Sequence, residues 1–459
     1  MINIQLGPNG FVKDGLYDQK RALEEAGVRA AVCVAKSKDN HLTTTTDIRK
    51  NNTKENLIRR GLSTISLSHT TPTEQESVSL EITGISRRLC LILNNEKEYA
   101  ADELSLRYTE VQESPYNTSL EISLYYKWLE IFKKIITKDY WDWFRKQTKT
   151  DHGAEVNITK KAQENARNFL GLATRTSLTY TVPFAQINKI AYMMEKVIAN
   201  PLDDFEKSCI PEMQEFLTTL KEKKVLLTKN DIYEMVTSDE DLKTEMNLRG
   251  QSIPYLSYKG DDSLFYQDTK NVNLSLFAKR NKWSTIEAPS EVTLSNISYN
   301  NYQSLACLAQ NQRHRTIDLE MQVPEDHITY TVPLFLEGYP DLTKEYLSDL
   351  AKITATYPLG MKVKVNMNAT YANLFNYVTK ERCCMMAQSE IANMYTFEII
   401  PYIYNNLLET ANSTTNEEKK NLYLAKALMV KEYLNKYRCS FPDYHCPSPC
   451  KSINLQRKL

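Results

Sequence analysis

The run "SLACLAQNQRHR", residues 304–315, ends in three adjacent basic residues, Arg313, His314 and Arg315, with Gln310 three residues ahead of them. Guanidinium forks suit a doubly charged phosphate, which rewards several of them at once. A side-chain amide can both donate and accept a hydrogen bond. Taken alone, such a cationic triplet is the ordinary make-up of a solvated patch. A second cluster sits in the first half, where "ADELSLRYTE", residues 101–110, sets Glu103, Ser105, Arg107 and Tyr108 in the compact pattern Glu-x-Ser-x-Arg-Tyr. No base is positioned by sequence to make Ser105 a nucleophile.

These groups act inside a chain with no global field. Lysine plus arginine number 57 and aspartate plus glutamate number 57. Nothing in that balance draws the protein to nucleic acid or an acidic membrane, so any anion site must be local. The N-terminus lacks a basic stretch followed by an apolar one, and no window is long and apolar enough to span a bilayer, which points to a cytoplasmic setting. Nine cysteines in 459 residues fit reduced thiols rather than a disulfide framework. Cys439, Cys446 and Cys450 beside His445 match no common zinc spacing, so no metal is expected and the tail reads as loosely ordered. Gly-x-Gly-x-x-Gly, Walker A and His-Glu-x-x-His are absent, leaving side chains to hold any phosphate.

The positioning elements read as α+β. Residues 120–136 place Tyr125, Trp128, Leu129, Phe132 and Ile136 at helical spacing, a stripe for core packing. A second helix follows in "TTNEEKKNLYLAKALMVKEYLNKY", where Thr415 and Glu418 suit a capping box. Between such helices lie the β-like runs "VSLEITGI", "SLTYTVPF" and "KVKVNMN". The echo of "TYTVPF" at 179 in "TYTVPL" at 329 occupies different places relative to the flanking motifs and reads as coincidence. At 459 residues the chain suggests two domains. A weaker repeat divides it near residue 235, giving 1–235 and 236–459, the latter with the cysteine-bearing tail.

The two clusters together resemble the flavin-dependent thymidylate synthases, the ThyX family, whose signature runs Arg-His-Arg-x-x-Ser-x-Asn-Glu-x-Ser-x-Arg-Tyr. The chain holds that pattern twice, each copy half erased. In the first copy the triplet is Asn95-Glu96-Lys97 and the next positions are Ala100 and Asp102, while Glu103, Ser105, Arg107 and Tyr108 stand in register. In the second the triplet is intact and the later positions are Met321, Val323, Glu325 and Asp326. The first half also carries His69, Thr71, Pro72 and Glu74 of a His-x-Thr-Pro-x-Glu segment, and Arg167 where the family has a phosphate-contacting arginine. A proline that commonly follows that arginine is Gly171 here and survives in the second half as Pro358. The second half supplies Asn368, Asn376, Arg382 and Glu390 within "NMNATYANLFNYVTKERCCMMAQSEI".

The resemblance implies two tandem repeats, each a small mixed sheet with long helices, forming a pseudo-dimer whose halves complement each other. Two chains would complete a tetramer-like homodimer. It implies a dUMP site lined by Gln310, Arg313, Glu103, Ser105, Arg107, Arg167 and Arg382, with Ser105 orienting the pyrimidine and Arg382 stabilising negative charge in the ring. It assigns FAD to His69, Thr71, Glu74, Arg313, His314, Arg315, Asn368 and Asn376, with NADPH and methylenetetrahydrofolate as co-substrates and dTMP as product. Two alternatives share these residues: a flavin enzyme acting on another pyrimidine nucleotide or adding another group, and a non-catalytic nucleotide- or flavin-binding protein.

Overall fold

The computed structural model describes residues 1–7, 10–35, 43–66, 75–96, 98–107, 109, 111, 116–227, 295–324, 327–384 and 387–446. The boundary expected near residue 235 lies outside them. The chain forms two compact units, one made of Met1–Leu104 with Ala173–Tyr255 and the other of Ser105–Leu172 with Leu256–Leu459. A segment of the first half of the sequence is therefore built into the unit that holds the second half.

The first unit is organised on an antiparallel sheet of β1 (Asn3–Leu6), β2 (Ser77–Ser86), β3 (Ala100–Glu103) and β4 (Arg175–Pro183), in the order β1-β2-β4-β3. Period-two alternation decides its faces. In β4 Thr176, Leu178, Tyr180 and Val182 are buried, while Ser177, Thr179 and Thr181 are exposed. The apolar face packs under residues of the helices Arg87–Asn95, Phe184–Ala199 and Asp204–Glu222. Helices Gln19–Cys33 and Lys54–Ser66 approach through two glycines: a Cβ on Gly27 would lie 1.9 Å from the Leu57 carbonyl oxygen, and one on Gly61 2.3 Å from that of Leu23.

The second unit carries the antiparallel strands β5 (Asn296–Ser304), β6 (Asp318–Gln322) and β7 (Lys362–Thr370), in the order β5-β7-β6. Its longest helix, Ser119–Gln147, outruns the expected 120–136 because the apolar stripe continues to Phe144 and Thr118 with Glu121 closes a capping box at its start. Trp128 on this helix stacks on Phe169 at 5.7 Å, meets Tyr346 edge-on at 5.1 Å and donates its indole N–H to Asp349 at 2.9 Å. Both antiparallel sheets flanked by helices bear out the α+β class.

Some local expectations change. The helix Glu417–Lys431 is capped by Asn416, which accepts from the Lys419 N–H at 3.1 Å, and not by a Thr415–Glu418 box. Asn416 stands one residue nearer the first turn and its amide oxygen reaches the N3 position. Through residue 446 the tail is also tied down: Asp443 pairs with Lys380 at 2.6 Å, the Arg438 N–H donates to the Cys383 carbonyl at 3.0 Å, and Tyr437 donates to Asn393 at 2.8 Å. Cys450 lies outside the described residues. Residues 179–183 belong to β4, whereas Tyr330 makes only an isolated bridge to Met361. No helix among the described residues is long and apolar enough to cross a membrane.

Candidate functional site

The same device fixes the start of a helix in each unit. Ser86 ends β2 and caps the helix Arg87–Asn95, its Oγ accepting from the Leu89 N–H at 3.1 Å. Ser304 ends β5 and caps Leu305–Asn311, its Oγ accepting from the Cys307 N–H at 3.0 Å. Each serine also gives its backbone N–H and its hydroxyl to one carboxylate from a later helix, the buried Glu212 for Ser86 and the half-buried Glu390 for Ser304. Counted from these serines, Ile92 occupies the place of Gln310, Asn95 that of Arg313 and Glu96 that of His314. This is the register in which the two sequence motifs align.

Around the second clamp the second unit builds a continuous polar network. The carboxylate of Glu390 accepts from Gln388 Nε2 at 3.4 Å. Gln388 Oε1 accepts from Arg167 Nη2 at 2.7 Å and from Gln310 Nε2, which also donates to the Ala306 carbonyl at 3.2 Å. Arg382 closes the run, its Nη2 donating to the Gln310 carbonyl at 3.2 Å and its Nε to His314 Nε2. Beneath lies a second buried polar layer, in which Asn311 donates to Gln303 at 2.6 Å and accepts from Tyr395 at 3.4 Å.

The electrostatics are unusual. Burial, and then the neighbouring Arg382, push the His314 pKa down to about 3, so its imidazole is neutral and its Nε2 is an acceptor. Burial also lowers the pKa of Arg382, and Arg107 adds a smaller push in the same direction. Among the described residues Arg382 forms no ion pair and its hydrogen-bond partners are neutral. A half-buried guanidinium so placed, with a second one close by, suits an anion or a partly anionic ring.

The other expected site residues are distributed as follows. Arg107 is held by Glu164, which also pairs with Lys161 at 2.7 Å, and its backbone N–H donates to the Ser105 hydroxyl at 3.3 Å. Arg313 is half-buried in the turn after Asn311 and Arg315 is exposed. Glu103 belongs to the first unit and pairs with Arg87 at 2.6 Å. Asn368 is buried on β7, donating to Asn366 at 2.6 Å while its own Oδ1 has no hydrogen-bond partner. His69, Thr71, Pro72, Glu74 and Tyr108 lie outside the described residues, as does the side chain of Asn376. The chain motifs had not singled out Gln388, Glu164 or Ser304. Only the Gln-x-Glu spacing of 388 and 390 and the three-residue step from Glu164 to Arg167 hinted at them.

Residues 16–192 match the family of the thymidylate synthase complementing protein, Thy1. The resemblance read from the first-half motif is borne out over that stretch, which is less than half of the chain. It contributes to both units, since 105–172 belongs to the second. No curated protein matches the chain. Flavin is the cofactor that the Thy1 resemblance implies, and the described residues fit it in part. The unpartnered Asn368 Oδ1 suits an imide or hydroxyl donor such as flavin carries, whereas His314 is turned to Arg382.

Proposed function

We propose that the chain is a flavin-dependent thymidylate synthase-like enzyme that reductively methylates dUMP at C5 to dTMP, using methylenetetrahydrofolate and NADPH. The observation that carries this reading is the half-buried Arg382 guanidinium, bonded to neutral acceptors and joined through Gln310 and Gln388 to Arg167. On this reading Arg382 stabilises negative charge developing on a pyrimidine, and Gln310 binds the ring edge. Arg107, Arg167 and Arg313 answer the phosphate, and Ser105 orients the nucleotide. FAD would be held by Asn368, Asn376, Arg313, Arg315, His69, Thr71 and Glu74, with His314 engaged instead by Arg382, and would supply the redox chemistry.

A tandem origin, with 1–235 and 236–459 as repeats and a homodimer as the assembly, draws support from the twin serine–glutamate clamps and from the like strand orders β2-β4-β3 and β5-β7-β6. The antiparallel bridge between Gly171 and Pro358 joins the two positions that the motif alignment equates.

Purified protein is expected to bind oxidised flavin, absorbing near ~450 nm. With NADPH and methylenetetrahydrofolate it should release tritium from C5-labelled dUMP; flavin and nucleotide binding without tritium release would reject the synthase reading. The Arg87–Glu103 ion pair favours a second reading, a nucleotide-binding relative without transfer chemistry, because it occupies a carboxylate the synthase reading assigns to substrate.

A further inference from the structure

Gln388 joins groups whose hydrogen-bonding polarity is fixed. Arg167 can only donate, so the Gln388 atom 2.7 Å from its Nη2 is the amide oxygen. The Glu390 carboxylate can only accept, so the other Gln388 atom, 3.4 Å away, is the nitrogen. On the far side, the Ala306 carbonyl can only accept, which fixes the Gln310 atom 3.2 Å from it as Nε2. The same Gln310 nitrogen then meets Gln388 Oε1 as donor to acceptor. Every link agrees, and no amide in the run can be turned over without setting two donors or two acceptors against each other.

One atom is left over. Gln310 Oε1 has no hydrogen-bond partner among the described residues. Gln310 therefore presents an acceptor to whatever occupies the site.

We infer that Gln388 is a positioning residue that fixes the Gln310 amide with its oxygen outward, so that the site selects a pyrimidine with a ring N–H over one with a ring-nitrogen acceptor. The inference rests on the proposed nucleotide-binding role and adds the basis of its choice of base. A uracil-type ring offers an imide N–H to Gln310 Oε1, whereas a cytosine-type ring sets a lone pair against it. A freely turning glutamine would serve either ring, because its amide ends are of similar size and opposite polarity.

The test compares equilibrium binding of dUMP and dCMP to the full chain and its variants by titration calorimetry. Wild type should prefer dUMP by about tenfold or more, the scale of one hydrogen bond replaced by an acceptor–acceptor clash. Gln388→Met, of similar length and without polarity, should bring the two affinities to within about threefold of each other. Gln388→Leu likewise removes the polarity and decides the question if the methionine variant does not fold. An unchanged preference in either apolar variant overturns the inference while leaving the proposed function standing. Failure of wild type to bind either nucleotide overturns both.

Discussion

His314 and Arg382 act together: a neutral imidazole accepts from a half-buried guanidinium. Lysine cannot donate to His314, to the Gln310 carbonyl and to a ligand in the same planar fork, so Arg382→Lys should weaken dUMP binding by about ten- to a hundredfold, measured by calorimetry. The pH dependence has a definite sign. Below pH 6.5 the unfolded chain takes up a proton that the folded His314 refuses, so this contribution to stability is complete above about 6.5 and is lost as pH falls toward about 3. Chemical denaturation of His314→Gln across that range should show a shallower loss of stability than wild type; parallel curves would rule the mechanism out. Gln388 escaped the motif reading because an amide between Ala387 and Ser389 carries neither charge nor periodic apolarity, and only its partners reveal its use.

At the level of elements, the stripe Tyr125, Trp128, Leu129, Phe132 and Ile136 was legible because helical spacing reports which face is buried. It does not report what the face is buried against. That partner includes the helix Pro340–Ala351, more than two hundred residues later, through Tyr346 and the fully buried Asp349, which accepts from Trp128 and Lys127 and pairs with Lys352 at 2.6 Å. Asp349→Ala should cost about 3–5 kcal/mol in urea unfolding, because it strips the acceptor from a buried indole and removes the counter-charge of two lysines. Gly27→Ala should also destabilise, by about 1–3 kcal/mol, because the added methyl collides with backbone rather than with a side chain that can turn away. The glycines were visible in the sequence; the close approach they permit was not.

For the molecule as a whole, the two serine clamps have unlike surroundings. Counting back from the clamp glutamates, Gln388 and Arg382 correspond to Ile210 and Asp204; counting on from the clamp serines, Gln310 corresponds to Ile92. The first-unit counterpart therefore has neither the amide run nor the guanidinium. Calorimetric titration should saturate at one dUMP per chain, and a value of two would contradict this account. The half-erased motifs were legible in the sequence and already suggested such division of labour, but the exchange of Ser105–Leu172 was not, because motif order follows the chain and not its packing.

That exchange bears on how the protein is made. The helix bearing Trp128 leaves the ribosome long before β5, β7 and Tyr346 exist, and residues 173–294 must be synthesised in between. At ordinary translation rates this is a delay on the order of ten seconds, during which a wide aromatic surface has no home. Nascent chains of this protein should thus lean on chaperones through the middle of their synthesis, and aggregation should rise when elongation stalls between those two points.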